Sequence, residues 1–393
     1  MNILIITNLY PTSITDNSTT KALHDLVKYW TKDNIFVVKT KLTVNFFSFF
    51  KISKYFTPFN CEGIHGVELP VLKVPKLYCF PNFNIDHILQ DYDFAPDLII
   101  SDMPINHILA YKYSQKVGKP LVVGIHMSEI KLHKSKNVFD LFNKSKIKDL
   151  YKKSQLIICR SHSIYERYID LFPEHIHKSY ISYFGIDEAH IINSKKFADK
   201  KEKIKNRGII SIVTVSKLIK LKNIDIVLKA LAKLSKNIEW FYTIIGDGPE
   251  RSKLKKLAVS LNIQDRVYFK GFLPHTETLK FLEKSDLFIM VSAPETFGLV
   301  YLEAMAKGCI VIGTKNWGID GIVLDKKNGF LIREGDTKTL YSLLENFIFN
   351  PYYRNDLLKI LDESYNTIFS YTAEKASSNY RTIISKLGLS NDC

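Results

Sequence analysis

The sequence predicts an α/β protein of two doubly wound, Rossmann-like parallel domains, and three observations predict it. At 393 residues the chain is about twice the length of a typical single domain. Short apolar runs alternate with stretches of helical periodicity from one end to the other. A polar, lysine-rich run, Lys195 to Arg207, interrupts that alternation near the middle. With 46% hydrophobic and 24% charged residues, each half can bury an ordinary core.

Composition narrows the classes. Met1 to Ile6 has no basic lead, and no stretch approaches the roughly 18 consecutive apolar residues of a membrane span. The expected location is therefore cytoplasmic. The five cysteines, Cys61, Cys79, Cys159, Cys309 and Cys393, show no CxxC spacing, so neither a disulfide framework nor a zinc site is expected. A formal charge of +15 implies attraction to something anionic: nucleic acid, an acidic membrane face or a phosphate-bearing substrate.

In the N-terminal half, residues 1–194, Ile3 to Ile6 reads as a buried strand and Leu9 to Thr12 as the loop that follows. Leu23, Leu26, Val27 and Trp30 then recur at helical spacing. Further strands are expected at Ile35 to Val38, Leu98 to Ser101, Leu121 to Ile125, Leu156 to Cys159 and Tyr180 to Tyr183. Open α/β sheets bind ligands beyond the carboxyl ends of their strands. That rule singles out Thr7 and Asn8 after the first strand, and His126 and Ser128 after Leu121 to Ile125. Taken alone, His126 reads equally well as a structural histidine or as a proton carrier.

Two segments have the mixture of aromatics and lysines that an interface favours: Lys41 to Phe56, and Lys131 to Lys153 around Val138, Phe139, Leu141 and Phe142. Either they pack aromatics inward beneath a solvated lysine face, or they dock on anionic lipid at the inner face of a membrane. Asp91-Tyr-Asp93 spells a DxD metal motif but precedes a strand instead of following one, and no essential metal is expected.

The run 195–207 is read as a linker, with a second domain over 208–370 and a last helical segment, 371–393. The strand Ile209 to Val215 leads into Ser216-Lys-Leu-Ile-Lys-Leu-Lys-Asn223 and a helix that turns Ile226, Val227, Ala230 and Leu231 inward. Lysines past a strand end and before a helix are placed to meet phosphates. The strand Trp240 to Ile245 ends in Gly246-Asp-Gly-Pro-Glu250, where Pro249 suits the first position of a helix. Arg251 occupies the sixth position of what would otherwise begin GxGxxG, so the dinucleotide fingerprint is incomplete.

The stretch around which the chain is organised is Val291 to Gly313. An apolar strand from Asp286 to Val291 breaks at Pro294, a short helix begins near Gly298, and a second strand runs from Cys309 to Ile312. Gly298 admits close backbone approach, and the amides of Leu299, Val300 and Tyr301 open a helix whose positive end favours an anion. Glu295 lies beside that end and Glu303 about one turn deeper. By themselves two glutamates are ordinary surface charges.

Glu295-Thr-Phe-Gly-Leu-Val-Tyr-Leu-Glu303, with Ala-Met-Ala following, resembles the Glu-x7-Glu signature of the retaining GT-B enzymes of glycosyltransferase family 4, also called glycosyltransferase group 1. The resemblance implies that Glu295 contacts the donor sugar and Glu303 the ribose. It implies that Lys217 and Lys222, five apart, grip the diphosphate, with Lys217 in place of the more usual arginine. It also sets His126 against the donor sugar and adds Ser216, Gly246, Gly248, Phe297, Gly298, Leu299 and Val300 to the nucleotide-sugar site. The turn Val267 to Phe272 lies near the base in relatives, and Asn328 to Leu331 is similar to their closing turn. The last helices, from Tyr371, cross back to the first domain in such enzymes.

Two departures stand out. Asp16-Asn-Ser-Thr-Thr20 replaces the usual Gly-Gly pair, leaving Asn17 or Ser18 as side-chain donors or helix cap, and Trp317-Gly-Ile-Asp-Gly321 lacks the first glycine and the acid of Gly-Gly-x-x-Glu. The expected chemistry is transfer of a hexose from a nucleotide diphosphate sugar, UDP favoured over GDP, to a saccharide or lipid-linked acceptor of a bacterial surface polysaccharide, with no cofactor. A GT-B epimerase would share the nucleotide site. A glycosidase would use two carboxylates but leave the lysines without a task, and a nucleic-acid-binding protein would explain the charge alone.

Overall fold

The computed structural model describes residues 1–16, 19–43, 56–74, 77–79, 85–134, 138–206, 209–234, 239–349 and 351–389. The chain forms two compact units, residues 1–184 with 376–393, and residues 185–375.

The first unit is built on a sheet whose strands are β1 (Asn2–Thr7), β2 (Asn34–Thr43), β3 (Thr57–Cys61), β4 (Ile64–Val74), β5 (Leu77–Cys79), β6 (Leu98–Asp102), β7 (Leu121–Ile125), β8 (Leu156–Cys159) and β9 (Ser179–Ile181). Their order is β3-β4-β2-β1-β6-β7-β8-β9, with β5 paired to β4. All neighbours run parallel except the pairs β3–β4 and β4–β5. The central strands are continuous apolar runs because both faces are covered: Ile3, Leu4, Ile5 and Ile6 are fully buried, as are Val122, Val123 and Ile125. The hairpin β3–β4 turns through Glu62 and Gly63, both at positive φ, a geometry whose twist matches paired strands. Sequence periodicity gives no sign of it.

Helices α1 (Ala22–Val27), α2 (Ile85–Gln90), α3 (Pro104–Val117), α4 (Met127–Lys134), α5 (Val138–Lys153) and α6 (His162–Leu171) supply the layers of this unit. The strands read from the sequence at Leu121 to Ile125 and Leu156 to Cys159 are reproduced residue for residue. The one expected at Tyr180 to Tyr183 is instead the shorter β9. Asn17, Ser18 and most of Lys41 to Phe56 lie outside the described residues, as do the side chains of Val138, Phe139, Leu141 and Phe142.

The second unit has six parallel strands, β10 (Ile209–Val215), β11 (Glu239–Ile245), β12 (Val267–Gly271), β13 (Leu287–Ile289), β14 (Ile310–Thr314) and β15 (Phe330–Ile332). Their order is β12-β11-β10-β13-β14-β15. Its helices are α7 (Ser194–Asn206), α8 (Ile224–Leu231), α9 (Arg251–Ser260), α10 (His275–Lys284), α11 (Leu299–Ala306), α12 (Thr337–Phe349) and α13 (Pro351–Ile368). The inward residues expected of α8 are partly corrected: Val227, Leu228, Ala230 and Leu231 are buried, and Ile226 packs at the margin of the core.

Where the charged run 195–207 was expected to be an exposed linker, its described residues 195–206 lie in the helix α7. Within α7, Phe197 stacks on Tyr365 at 4.0 Å and Lys200 is buried, its ammonium donating to the carbonyls of Lys307 (2.7 Å) and Leu282 (3.3 Å). Composition misleads here because a single aromatic and one capping cation suffice to dock an otherwise solvated helix. Pro249 is likewise not at the head of a helix, since α9 starts at Arg251. Val267 to Gly271, expected as a turn, is the edge strand β12.

The final helix, α14 (Ala373–Ser385), delivers Tyr380, Ile383 and Ile384 to the core of the first unit, where Tyr380 stacks on Trp30 at 5.5 Å. Among the described residues, no helix is long and apolar enough to cross a membrane.

Candidate functional site

In the second sheet the chain starts at β10, adds β11 and β12 on one side, then returns to add β13, β14 and β15 on the other. The reversal opens a crevice between β10 and β13 at their carboxyl ends, the place where such sheets receive ligands. The loops 216–223 and 290–298 leave the sheet there.

Backbone contacts lock these loops together. The amide of Leu218 donates to the carbonyl of Asp247 at 2.9 Å, that of Glu250 to Leu218 at 3.0 Å, and that of Ala293 to Leu221 at 3.0 Å. Asn223, at φ +50° ahead of α8, donates its side-chain amide to the carbonyl of Val291 at 2.9 Å. Gly246 is required for this closeness, because a β-carbon there would fall 1.9 Å from the carbonyl oxygen of Ser216. The Ser216 hydroxyl is buried and makes no hydrogen bond among the described residues.

Glu295 is at the centre. Its Oε2 accepts from the ammonium of Lys222 at 2.5 Å and from the Ser292 hydroxyl at 3.0 Å, while Oε1 accepts from the amide of Thr296 at 3.1 Å. Both partners of the ion pair are largely shielded, with side chains 19% and 15% exposed. Lys222 and Glu295, assigned separate tasks from the sequence, therefore form one unit. Lys217 is exposed and makes no ion pair among the described residues.

Gly298, at φ +78°, caps α11, and a β-carbon there would strike the ring of Tyr301. Tyr301 is fully buried and donates its hydroxyl to the carbonyl of Met290. One correction follows for the helix start: the Tyr301 amide donates to the carbonyl of Gly298 at 2.9 Å, leaving Leu299 and Val300 as the amides that can face an anion. Phe297 is buried, a packing residue of the loop. Gly318 donates to the carbonyl of Glu295 at 3.2 Å and admits no side chain, so the second glycine-bearing loop closes over Glu295 through backbone. Gly248 donates to its neighbour Asp247 at 2.7 Å.

Glu303 already has a partner. His275, the first residue of α10, lies 2.8 Å from its Oε1, and His190 meets the His275 ring edge-on at 5.2 Å. Burial, reinforced by the neighbouring His275, lowers the pKa of His190 below the usual histidine value. Neither histidine was found from the sequence, because they lie 28 and 113 residues from Glu303 and carry no motif.

In the first unit, His126 follows β7 as expected and is buried within a network of acids. Its Nε2 bonds to Oδ1 of Asp102 at the end of β6, and Oδ2 of Asp102 accepts from Arg160 at 2.8 Å. The backbone amide of His126 donates to Oε2 of Glu129 at 3.0 Å, as does the hydroxyl of Ser128. Glu129 sits three residues into α4 and reaches back, the arrangement of a helix capping box. Its Oε1 meets His107 at 3.1 Å, and His107 in turn meets the Ser101 hydroxyl at 2.7 Å. Thr7 is buried with its hydroxyl accepting from the amide of Leu9, and Asn8 accepts from Asn106 at 3.3 Å.

Burial alone would raise the pKa of Asp102, but the Arg160 guanidinium and His126 outweigh it and hold the carboxyl well below the usual range. A depressed carboxylate contributes stability that is whole above about pH 4, where the unfolded aspartate is also ionised, and that drains as pH falls below it. The double replacement Asp102→Leu/Arg160→Met, which removes the pair without orphaning a charge, is expected to move the acid limb of unfolding to lower pH. Acid titration followed by far-UV circular dichroism would measure it, and superimposable limbs would contradict the assignment.

Residues 195–360 match the family described as glycosyl transferases group 1. Among curated relatives, N-acetyl-alpha-D-glucosaminyl L-malate synthase of Bacillus anthracis is 37% identical over 126 residues, 32% of this chain and 32% of that protein. The O-antigen biosynthesis glycosyltransferase WclY of Escherichia coli is 31% identical over 213 residues, 53% of this chain and 56% of the relative. The chain thus spans between about a third and just over half of the length of these curated relatives. The crystal structure of HepE from Anabaena in complex with UDP superposes with a TM-score of 0.72 at 18% identity, covering 98% of this chain and 100% of that one. The chain has the GT-B fold, and its segment 195–360 is similar to the glycosyl transferases group 1 family.

Proposed function

We propose that this protein is a retaining, metal-independent glycosyltransferase of family 4 that moves a hexose-type sugar from a UDP-sugar to a saccharide or lipid-linked acceptor in the synthesis of a bacterial cell-surface polysaccharide. The observation that carries the reading is the shielded Lys222–Glu295 pair at the strand-order reversal, beside the helix start that offers the Leu299 and Val300 amides. The kinship with WclY supports a polysaccharide product, and UDP in HepE supports the choice of nucleotide.

The transition state of such a transfer separates an oxocarbenium-like sugar from a diphosphate that gains negative charge. Lys222 and the two amides are held in place before the reaction, so they stabilise that charge without reorganising, and one such donor contributes roughly 3 kcal/mol. Glu295, fixed by Lys222, Ser292 and its own loop, keeps one carboxylate edge for the sugar hydroxyls. Glu303 receives the ribose alongside His275. Lys217, exposed, meets the diphosphate as a point charge.

Thermal shift with UDP, GDP, ADP, CMP and a short DNA duplex tests the reading, with Glu303→Ala and Lys222→Ala in parallel. At 100 times its dissociation constant a bound nucleotide stabilises by about 2.7 kcal/mol. UDP is expected to raise the melting temperature of the wild type and of neither variant. A response to DNA alone, or variants that respond like the wild type, would sink it.

A further inference from the structure

Glu303 is held by a residue that the glutamate motif does not contain. Helices α10 and α11 pack side by side, and His275, the first residue of α10, sets its Nε2 2.8 Å from Oε1 of Glu303. The start of α10 is fixed by local contacts. Pro274 precedes His275 at φ −55°, and its carbonyl accepts from both the amide (2.9 Å) and the hydroxyl (3.1 Å) of Thr278. The ring is held as well: His190 meets it edge-on, and His190 ends a short turn whose Asp187 carboxylate accepts from the amide of Ala189 at 3.0 Å. Backbone and ring of His275 are therefore anchored from two directions, all within the second unit.

We propose that His275 is a positioning residue for nucleotide recognition: it ties down one oxygen of Glu303, Oε1, and so directs the other, Oε2, at the hydroxyls of a bound ribose. This deepens the glycosyltransferase reading and rests on it. An ionised carboxylate only accepts, so the proton between the two groups sits on Nε2. The Glu303 side chain is 12% exposed against 45% for His275, so the orientation of the carboxylate is set by what it bonds more than by water. Oε2 makes no hydrogen bond among the described residues, which leaves it to accept from a ligand. Without the imidazole the glutamate would spread over several rotamers, and a ribose would have to order it on binding. With the imidazole, that ordering is complete before the nucleotide arrives. Burial and the nearby His275 keep His190 below the usual histidine pKa against the opposing pull of Asp187 and Glu303, so at pH 8 the second ring brings no competing charge. The arrangement favours a ribonucleotide over its deoxy counterpart, because a site built to accept from hydroxyls is left unpaired when they are missing.

Isothermal titration calorimetry of the full chain at pH 8, with UDP and with 2′,3′-dideoxy-UDP, which lacks both ribose hydroxyls, tests the proposal. The wild type is expected to prefer UDP. In His275→Ala the dissociation constant of UDP is expected to rise about tenfold, the worth of one hydrogen bond, while that of the dideoxy nucleotide stays at its wild-type value. His275→Gln, whose amide nitrogen can reach the position of Nε2, is expected to restore the preference. Glu303→Ala is expected to bind the two nucleotides alike. With the UDP-sugar that turns over, KM is expected to rise about tenfold in His275→Ala and kcat to stay unchanged, because the ribose is bound equally in ground and transition states.

Equal losses of affinity for the two nucleotides in His275→Ala, or no loss for either, would overturn the proposal and leave the transferase reading standing. So would a His275→Gln protein that behaves like His275→Ala. A Glu303→Ala protein that keeps the wild-type preference would remove Glu303 from the ribose and the proposal with it, and a wild type that binds no nucleoside diphosphate would end the transferase reading too. Should His275→Ala fail to fold, nitrogen-15 NMR of the histidine-labelled wild type decides. At pH 8 His275 is expected to carry its proton on Nε2 and to shift with UDP but not with the dideoxy nucleotide; a proton on Nδ1, or equal shifts, would count against the proposal.

Discussion

Replacing Lys222 by alanine is expected to slow sugar transfer by about 100- to 1000-fold, the cost of removing one preorganised donor from a developing anion. Two effects combine in that figure. The ammonium is lost from the path of the departing diphosphate, and Glu295 loses the partner that holds it 2.5 Å away. A shielded carboxylate left without its cation either takes up a proton or swings toward solvent, and in both cases the sugar hydroxyls lose a fixed acceptor. Lys217→Ala provides the contrast. Its exposed ammonium pairs with no carboxylate among the described residues, so a loss of about tenfold is expected, diminishing with added salt. Steady-state rates with the donor identified by the nucleotide screen would measure both. Equal losses in the two variants would mean that the Lys222–Glu295 pair has no special role.

Gly246→Ala is expected to destabilise the second unit by about 3 kcal/mol or more, through overpacking and the left-handed backbone together. At φ +122° a side chain is already disfavoured, and the new methyl group would overlap the carbonyl oxygen of Ser216 at 1.9 Å. The contacted atom belongs to the backbone of the loop 216–223 and cannot rotate away. For a unit of this size the drop in melting temperature is roughly 6–12 °C, and UDP binding should weaken because Leu218 and Lys222 move with Ser216. Gly335→Ala is the control. It also has positive φ, +78°, but nothing lies within 4 Å of the added carbon, so only the backbone cost of about 1 kcal/mol is expected. Calorimetry on both variants separates crowding from conformation.

What the sequence reveals of this fold is what repeats along it. Strands buried on both faces announce themselves as apolar runs, and β7, β8 and β10 were legible to the residue. Edge strands are not: β3 is half exposed, β12 alternates weakly, and both depend on a neighbour for pairing, which no local window contains. The helix α7 escaped because its lysines dominate its composition while Phe197 and Lys200 do the docking.

The candidate site divides along the same line. Glu295, Glu303 and Gly298 share one contiguous stretch and could be read together. Lys222 and Glu295, 73 residues apart, touch only because the strands that precede them, β10 and β13, are neighbours. Asp102 and Arg160 lie 58 residues apart, and Asp102 ends a strand that reads simply as a strand. Their joint role exists only in the folded sheet.

The helix α14 carries a consequence for the order of events during synthesis. The first 184 residues emerge from the ribosome before any residue of the second unit, yet their core lacks Tyr380, Ile383 and Ile384 until almost two hundred further residues have been translated. Trp30, which stacks on Tyr380, waits for its partner through all of that time. The second unit, whose segments are contiguous, can close first. The unit translated first of the two is therefore the one finished last, and a ribosome stalled before α14 would hold a nascent chain whose second unit is complete and whose first is still open.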